Sequence, residues 1–260
     1  MGIRIGIGNK LLPVYTPTLE AEAFDYNARV VADGGAVIDI WQVNADIVFL
    51  KSIGAFSTLD RIYLPYGGYK LRTALGVNYI AKYYDVKGAA GDAVQTTDAK
   101  QPIYGGTQIN GYTFHTTVNA NQEHLIFTGI NIGTLIAVNQ GTGYLGGITT
   151  SSSPYIERAT LYDRYRSSSQ FVTFTLPSAA KSVDSYIWSV NNAYCFRNKN
   201  VAPENPVAST IINMNTFYLR GVASAGYTGQ AGYFLVKATA ITDTMRNLIE
   251  DYLITKFALA

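Results

Sequence analysis

Residues that commonly carry catalysis are few and scattered in this sequence. The only two histidines, His115 and His124, lie nine positions apart, which fits no zinc-binding helix motif. We find no Gly-x-Ser-x-Gly nucleophile motif, no phosphate-binding loop and no dinucleotide-binding fingerprint. The glycine-rich run 141–147 lacks the Lys and Ser/Thr of a phosphate loop, and we interpret it as a flexible loop. These observations predict that the chain is not an enzyme and has no catalytic residues.

One pair of acids deserves comparison with glycoside hydrolases, which need two facing carboxyl groups. Glu157 and Asp163 are six positions apart, and an even spacing places side chains on the same face of a continuous strand. The run from Glu157 to Arg166 is, however, heavily charged and is typical of a strand end that enters a turn. We therefore favour a structural interpretation of this pair.

Calcium is the only metal for which the sequence offers candidate ligands. Asp92, Asp98 and Asn110 lie in a loop-rich region, and loop oxygens suit Ca²⁺, but the EF-hand pattern is absent. We favour solvated turn residues and predict no cofactor. Cys195 is the only cysteine, which excludes an internal disulfide and a multi-cysteine metal site.

Aromatic side chains offer a second kind of binding surface. Tyr186 and Trp188 alternate along a predicted strand and so share one face of a sheet. Such a face can stack against a sugar ring, which makes the two residues candidate glycan contacts. Packing within the core is the alternative, and we favour it.

Composition bounds the partners of the chain. Only 15% of its 260 residues are charged and the net charge is +2, so neither nucleic acid nor an anionic membrane is an expected partner. We find no signal peptide at the start and no run of about 18 apolar residues that could span a bilayer. We expect synthesis in the cytoplasm. The 20 tyrosines and 24 glycines favour an all-β protein with many turns.

Three segments show helical periodicity. We predict helices over residues 18–33 and 40–53, capped by Thr18 and Asp39 and joined as a hairpin. A third, over residues 241–259, is capped by Thr242. Its apolar stripe comprises Met245, Leu248, Ile249, Tyr252, Leu253 and Phe257.

From about residue 70 onward, short apolar segments alternate with turns. This density of strands, with no helix between them, predicts a sandwich or barrel. The predicted strands are 79–84, 109–115, 125–132, 134–138, 155–162, 171–176, 186–190, 193–197, 217–220 and 232–238.

The first residues of the chain alternate glycine with isoleucine and favour an extended segment. We weigh equally an arm that docks onto another subunit and an edge strand of the chain's own sheet. The candidate assembly residues are Ile3, Ile5, Ile7, Leu11, Leu12, Val14 and Tyr15. We predict three regions: an extended arm (1–17), a helical attachment or oligomerisation region (18–66) and a β-sandwich (67–260).

Several motifs, taken in order, resemble a known family. Gln101-Pro102 resembles the entry to a strand in concanavalin A-like (laminin-G-like) domains, and the segment from Tyr218 to Val236 resembles their late strand pair. Leu248 to Leu259 resembles their closing helix. The sequence departs from the family at Val236-Lys-Ala, where a Glu is frequent, so ligand residues do not carry over.

The front of the chain is similar to one branch of this family. Phe24 to Gly35 and Ile53 to Tyr63 resemble consecutive elements of bacteriophage virion proteins. The resemblance implies a mainly β fold, a concanavalin A-like jelly-roll β-sandwich with an N-terminal helical hairpin and a C-terminal amphipathic helix.

The resemblance also implies a function. We expect a bacteriophage virion structural protein, either a capsid decoration or head fibre or a tail or baseplate component. It would be located in the virion, act by protein–protein assembly with other virion proteins, and form a homo-oligomer within a symmetric particle. The alternative is a carbohydrate-binding adhesin that attaches to host surface glycans, and a glycoside hydrolase is a third hypothesis.

Overall fold

The computed structural model describes residues 18–105, 108–117, 123–147, 155–158, 162–166, 171–175, 181–188, 193–201, 216–219, 221–222 and 225–259.

Four α-helices occur in the described chain. They are α1 (Ala21–Ala32), α2 (Ile40–Ser52), α3 (Ala55–Thr58) and α4 (Asp243–Phe257). The predicted caps of α2 and α4 are confirmed, because the Asp39 carboxylate accepts from two backbone amides of α2 and the Thr242 hydroxyl accepts from the Met245 amide at 3.2 Å. The Thr18 cap was wrong. Helix α1 begins after Glu20, whose amide donates to the side-chain oxygen of Asn44.

Nineteen strands occur in the same part of the chain. They are β1 (Ala36–Val37), β2 (Arg61–Tyr63), β3 (Gly68–Ala74), β4 (Val77–Tyr83), β5 (Ala93–Val94), β6 (Gln108–Ile109), β7 (Tyr112–Thr113), β8 (His115–Thr117), β9 (Leu125–Thr128), β10 (Thr134–Gly147), β11 (Tyr155–Arg158), β12 (Tyr162–Arg166), β13 (Phe171–Thr175), β14 (Ser182–Trp188), β15 (Ala193–Arg197), β16 (Asn200–Val201), β17 (Thr216–Leu219), β18 (Gly221–Val222) and β19 (Ala225–Lys237).

The two longest strands, β10 and β19, form the spine of the sandwich. They pair antiparallel from Thr134 opposite Lys237 to Gly143 opposite Tyr227. Near one end of this pair, β2 extends β19, and β14 and β15 extend β10. Near the other end, β10 pairs with β11 and β17, and the sheet continues through β9, β5, β4 and β3 to β1. The strands near the first end form one layer of the sandwich and the strands near the other end form the second layer, and side chains of the two layers pack against each other.

Two apolar cores result. The first joins side chains of both layers, with Leu135 of β10, Phe217 of β17 and Tyr69 of β3 among its members. The second lies between the outer side of the β10–β19 layer and the helices. Because consecutive strand residues point to opposite faces, Leu135 enters the first core and Ile136 the second. This explains the continuous apolar run at the start of β10.

We predicted a flexible loop over residues 141–147, and this was wrong. These residues form the second half of β10. Gly141 and Gly229 face each other across the β10–β19 pair at positive φ, 140° and 137°. A Cβ on Gly141 would lie 2.2 Å from the carbonyl oxygen of Thr228. Glycine at these two positions therefore allows the backbones of β10 and β19 to approach closely. In the sequence, the same glycine-rich run is typical of a loop.

The fold-class prediction is confirmed: the protein is a mainly β sandwich with helices before it and a closing helix after it. Strand β1 pairs with β3 and β2 with β19, so strands of the region 18–66 are built into the sandwich. The three-region division stays a prediction. Within the described chain, no helix is both long and apolar enough to cross a membrane.

Candidate functional site

The seven candidate assembly residues of the N-terminal arm lie outside the described residues, because the description begins at Thr18. Their role stays a prediction.

The two candidate glycan contacts lie inside the sandwich. Tyr186 is 1% exposed and Trp188 2% exposed, both in the first core, with their ring centroids 6.3 Å apart. The two side chains therefore share the inner face of the sheet. This agrees with packing in the core, the alternative that the sequence analysis favoured. Neither ring offers a surface to a sugar in this structure.

The helices carry the largest apolar exposure instead. Five large apolar side chains between residues 24 and 48 are exposed, and we call them the outer residues: Phe24 (63%), Val31 (58%), Ile38 (47%), Trp41 (50%) and Val48 (45%). Elsewhere in the described chain, Leu71 (37%), Leu248 (43%) and Leu75 (104%) are also exposed, and Leu75 is more exposed than any of the outer residues. Phe24 and Val31 on α1 are seven positions apart, as are Trp41 and Val48 on α2, so each pair lies on one side of its helix, as is common in protein contact surfaces. The outer residues are thus one candidate functional site.

A cleft beside α1 is the second candidate. Its volume is about 310 Å³, close to the lower limit for small-molecule sites, and it is open to solvent. Its lining residues are Glu22, Asp25, Tyr26, Arg29, Phe56, Val86, Lys87 and Gly88.

Most charges in this cleft already have partners. Both Asp92 carboxylate oxygens accept from Arg29 at 3.0 Å. Lys87 donates to the Phe56 carbonyl at 2.6 Å and its ammonium lies 4.3 Å from the centre of the Phe56 ring. The hydrogen bond from Lys51 lowers the pKa of Glu22. A carboxyl with a lowered pKa suits a base or an electrostatic role better than a general acid.

Behind the cleft lies a buried acid that sequence reasoning missed. Burial raises the pKa of Asp85 to about 7, although its carboxylate accepts from the amides of Ile62 and Lys87. The other carboxylate oxygen lies 3.8 Å from the Arg61 guanidinium and has no hydrogen bond. A raised pKa is typical of catalytic acids. Asp85 is fully buried, however, so a substrate in the cleft cannot contact its carboxyl group in this structure.

The other residues singled out from the sequence are dispersed. Glu157 and Asp163 lie on the neighbouring strands β11 and β12, so the same-strand argument for a catalytic pair does not hold. Asp98 contacts Arg72 at 3.3 Å, and the Asn110 amide donates to the Lys256 carbonyl. Among the described residues, no three His, Cys, Asp or Glu side chains cluster as metal ligands would.

Comparison with known proteins shows a fold but no family. No protein-family model and no curated protein matches the sequence. An arabinofuranosidase complexed with arabinofuranosyl-α-1,2-xylobiose matches with a TM-score of 0.53 and 11% identity, over 77% of this chain and 59% of that chain. A GH54 α-L-arabinofuranosidase soaked with a cyclic sulfate inhibitor matches with a TM-score of 0.52 and 10% identity, over 77% and 59%. The receptor-binding domain of botulinum neurotoxin type G matches with a TM-score of 0.51 and 10% identity, over 76% and 51%.

These similarities show that the chain shares a β-sandwich fold with these three structures. The chain spans between 51% and 59% of these three chains, and at such low identity the likeness concerns the fold alone. None of these three structures is a virion protein, so the virion role implied by the sequence resemblance remains a proposal.

One prediction needs correction. The missing catalytic motifs led us to expect that the chain is not an enzyme, and that inference was wrong. Two of the matching structures are arabinofuranosidases, so this fold also serves glycoside hydrolases. The absence of familiar sequence motifs does not exclude glycosidase activity, because glycosidases need two carboxyl groups that can lie far apart in the sequence.

Proposed function

We propose that this chain is an assembly subunit of a bacteriophage particle that uses its helices for attachment and displays its β-sandwich. The observation that carries the proposal is the concentration of exposed apolar side chains on and beside α1 and α2. Burying such side chains stabilises a contact by roughly 25 cal/mol per Å². The similarity of the segments Phe24 to Gly35 and Ile53 to Tyr63 to virion proteins supplies the biological setting.

The mechanism is binding. The sandwich supplies a rigid scaffold, since its two cores are closed by side chains from both layers and from α1, α2 and α4. The outer residues and the apolar segment 1–15 then bind neighbouring subunits. Rigid scaffolds favour such contacts because little conformational entropy is lost on binding.

A map of the native phage particle by electron cryo-microscopy tests this function. We expect density for the sandwich on the head or tail, with α1 and α2 turned toward neighbouring subunits. Purified particles that lack the chain would overturn the proposal. Deletion of residues 1–15 is a second test, and unchanged incorporation into particles would refute the role of this segment.

A carbohydrate-active module is the second candidate, favoured by the fold and by the cleft with its two acids, Glu22 and Asp25. Binding would give hits on a glycan array, and hydrolysis would release product from aryl glycosides. Glu22→Gln and Asp25→Asn should then abolish the signal, whereas a signal that persists in both variants would exclude the cleft as the site.

A further inference from the structure

Helix α2 presents a narrow stripe to the outside. Trp41, Asn44 and Val48 follow one another at spacings of three and four, so they lie along one side of the helix. Trp41 is 50% and Val48 45% exposed. We call these three residues the α2 stripe.

The first described residues contact the middle of this stripe. The Glu20 amide donates to the side-chain oxygen of Asn44 at 2.6 Å, and Lys51, one turn beyond Val48, pairs with the Glu20 carboxylate at 2.7 Å. Residues 1–17 therefore join the described chain within a few residues of the α2 stripe.

The chemistry of residues 1–17 matches an apolar acceptor. The segment contains eight large apolar side chains at positions 1, 3, 5, 7, 11, 12, 14 and 15, with Arg4 and Lys10 as its only charged side chains. Fifteen residues can span up to roughly 50 Å when extended. The α2 stripe extends over eight residues of helix, from Trp41 to Val48, and is only about 10 Å long. When extended, the segment is thus about five times as long as the stripe, so it can reach beyond the stripe of its own copy.

We propose that the α2 stripe is the acceptor for residues 1–15 of a second copy of this chain, so that neighbouring copies exchange these segments. The inference rests on the proposed assembly function and names its contact. Exchange makes each copy both donor and acceptor, which is the arrangement that closed symmetric oligomers use.

Cysteine pairing tests the exchange directly. One copy carries Leu12→Cys, a second, differently tagged copy carries Val48→Cys, and the two are mixed under mild oxidation. Cys195 is fully buried and stays in place. Leu248→Cys is the matched control for Val48→Cys, because Leu248 is also a helical apolar residue and is 43% exposed.

We expect the Leu12→Cys and Val48→Cys copies to form a disulfide-linked heterodimer, roughly tenfold more than with Leu248→Cys, because docking raises the effective concentration of the two thiols. A double variant, Leu12→Cys/Val48→Cys, that closes only within one chain would overturn the exchange. Equal cross-linking to Val48→Cys and Leu248→Cys would overturn it as well.

Light scattering on the unmodified chain separates this inference from the proposed function. An oligomer that forms without preferential cross-linking to Val48→Cys contradicts the α2 stripe as acceptor and leaves assembly standing. A chain that stays monomeric at every concentration contradicts the exchange itself, and the particle map then decides the proposed function.

Discussion

Each side of helix α2 departs in part from the usual pattern of a surface helix. Its inner side packs Val43, Ile47 and Leu50 into the second core, but also buries the carboxylate of Asp46 completely. Its outer side leaves Trp41 and Val48 exposed. Apolar side chains normally line the inner side and charged ones the outer side.

The buried side explains how the closing helix is positioned. Asp46 accepts from the Tyr66 hydroxyl, from the Tyr252 hydroxyl at 2.5 Å and from the Lys256 ammonium at 2.6 Å. Burial raises the pKa of Asp46 and lowers the pKa of Lys256, against the attraction between them. A buried ion pair adds little net stability but penalises any arrangement that separates its partners. The inner side of α2 thus fixes geometry, and its outer side remains available for contacts.

The chain's two tryptophans give the largest contrast between the two environments. Trp188→Ala should lower the free energy of unfolding by about 3–5 kcal/mol, because it opens a cavity in the first core. Trp41→Ala should change it by about 0.5 kcal/mol or less, since an exposed side chain leaves no cavity. Urea unfolding of both variants measures the difference. Equal effects would show that Trp41 is buried in the isolated chain.

The buried ion pair gives the next largest effect. Lys256→Met should cost about 3 kcal/mol, because Asp46 keeps its burial but loses its cation. The double variant Asp46→Asn/Lys256→Met should cost less than Lys256→Met alone, since no charge is then left buried. The same urea titration checks both. Additive losses would mean that the two side chains contribute independently.

The raised pKa of Asp85 predicts that stability falls by at most about 4 kcal/mol as the pH rises. The unfolded carboxyl ionises near pH 3.8 and the folded one near 7, so the folded state holds more protons between these values. Stability from this group is therefore lost as pH rises from about 4 to 7. The difference between the two pKa values sets an upper limit of about 4 kcal/mol on this loss, because one pKa unit corresponds to about 1.4 kcal/mol.

Asp85→Asn should flatten this part of the pH profile, measured by thermal unfolding across pH 4–7. Asp33→Asn is the control, because it should leave the profile between pH 4 and 7 unchanged and alter it only below pH 4. Hydrogen bonds from Lys82 and Tyr84 lower the pKa of Asp33 to about 2, so its contribution is present above about pH 4 and lost below. A wild-type slope that survives Asp85→Asn would assign the effect to another buried acid, such as Glu250.

The sequence predicted most of the fold and little of the site. Asp39 and Thr242 mark helix starts through local spacing, and the structure confirms both. Residues joined by distant contacts could not be found this way. Asp46 and Lys256 are 210 positions apart, and nothing local distinguishes them from solvated charges.

Helix α4 shows the same limit. We predicted an apolar stripe that included Leu248, but Leu248 is exposed, whereas Arg246 and Glu250 are buried. Glu250 accepts from the Ser185 hydroxyl at 2.6 Å and from Arg246 at 2.9 Å. Helical periodicity predicts that charged residues of α4 are exposed. Arg246 and Glu250 are buried because α4 packs against β14, and the sequence of α4 alone does not show this contact.

The smallest expected change in stability carries the central claim, that the outer side of α2 is a contact surface. Trp41→Ser/Val48→Ser should alter the free energy of unfolding by about 0.5 kcal/mol or less when it is measured at concentrations where the wild type is dissociated, because both side chains are exposed in the single chain. Val43→Ala, on the inner side, is the control and should destabilise the fold instead.

The most direct test is the molar mass in solution, by light scattering, of the wild type and of Trp41→Ser/Val48→Ser. We predict that the wild type has a multiple of the 28.3 kDa chain mass and that the folded double variant has the mass of one chain. A wild type and a double variant of equal mass, whether both are oligomers or both are monomers, would contradict the claim.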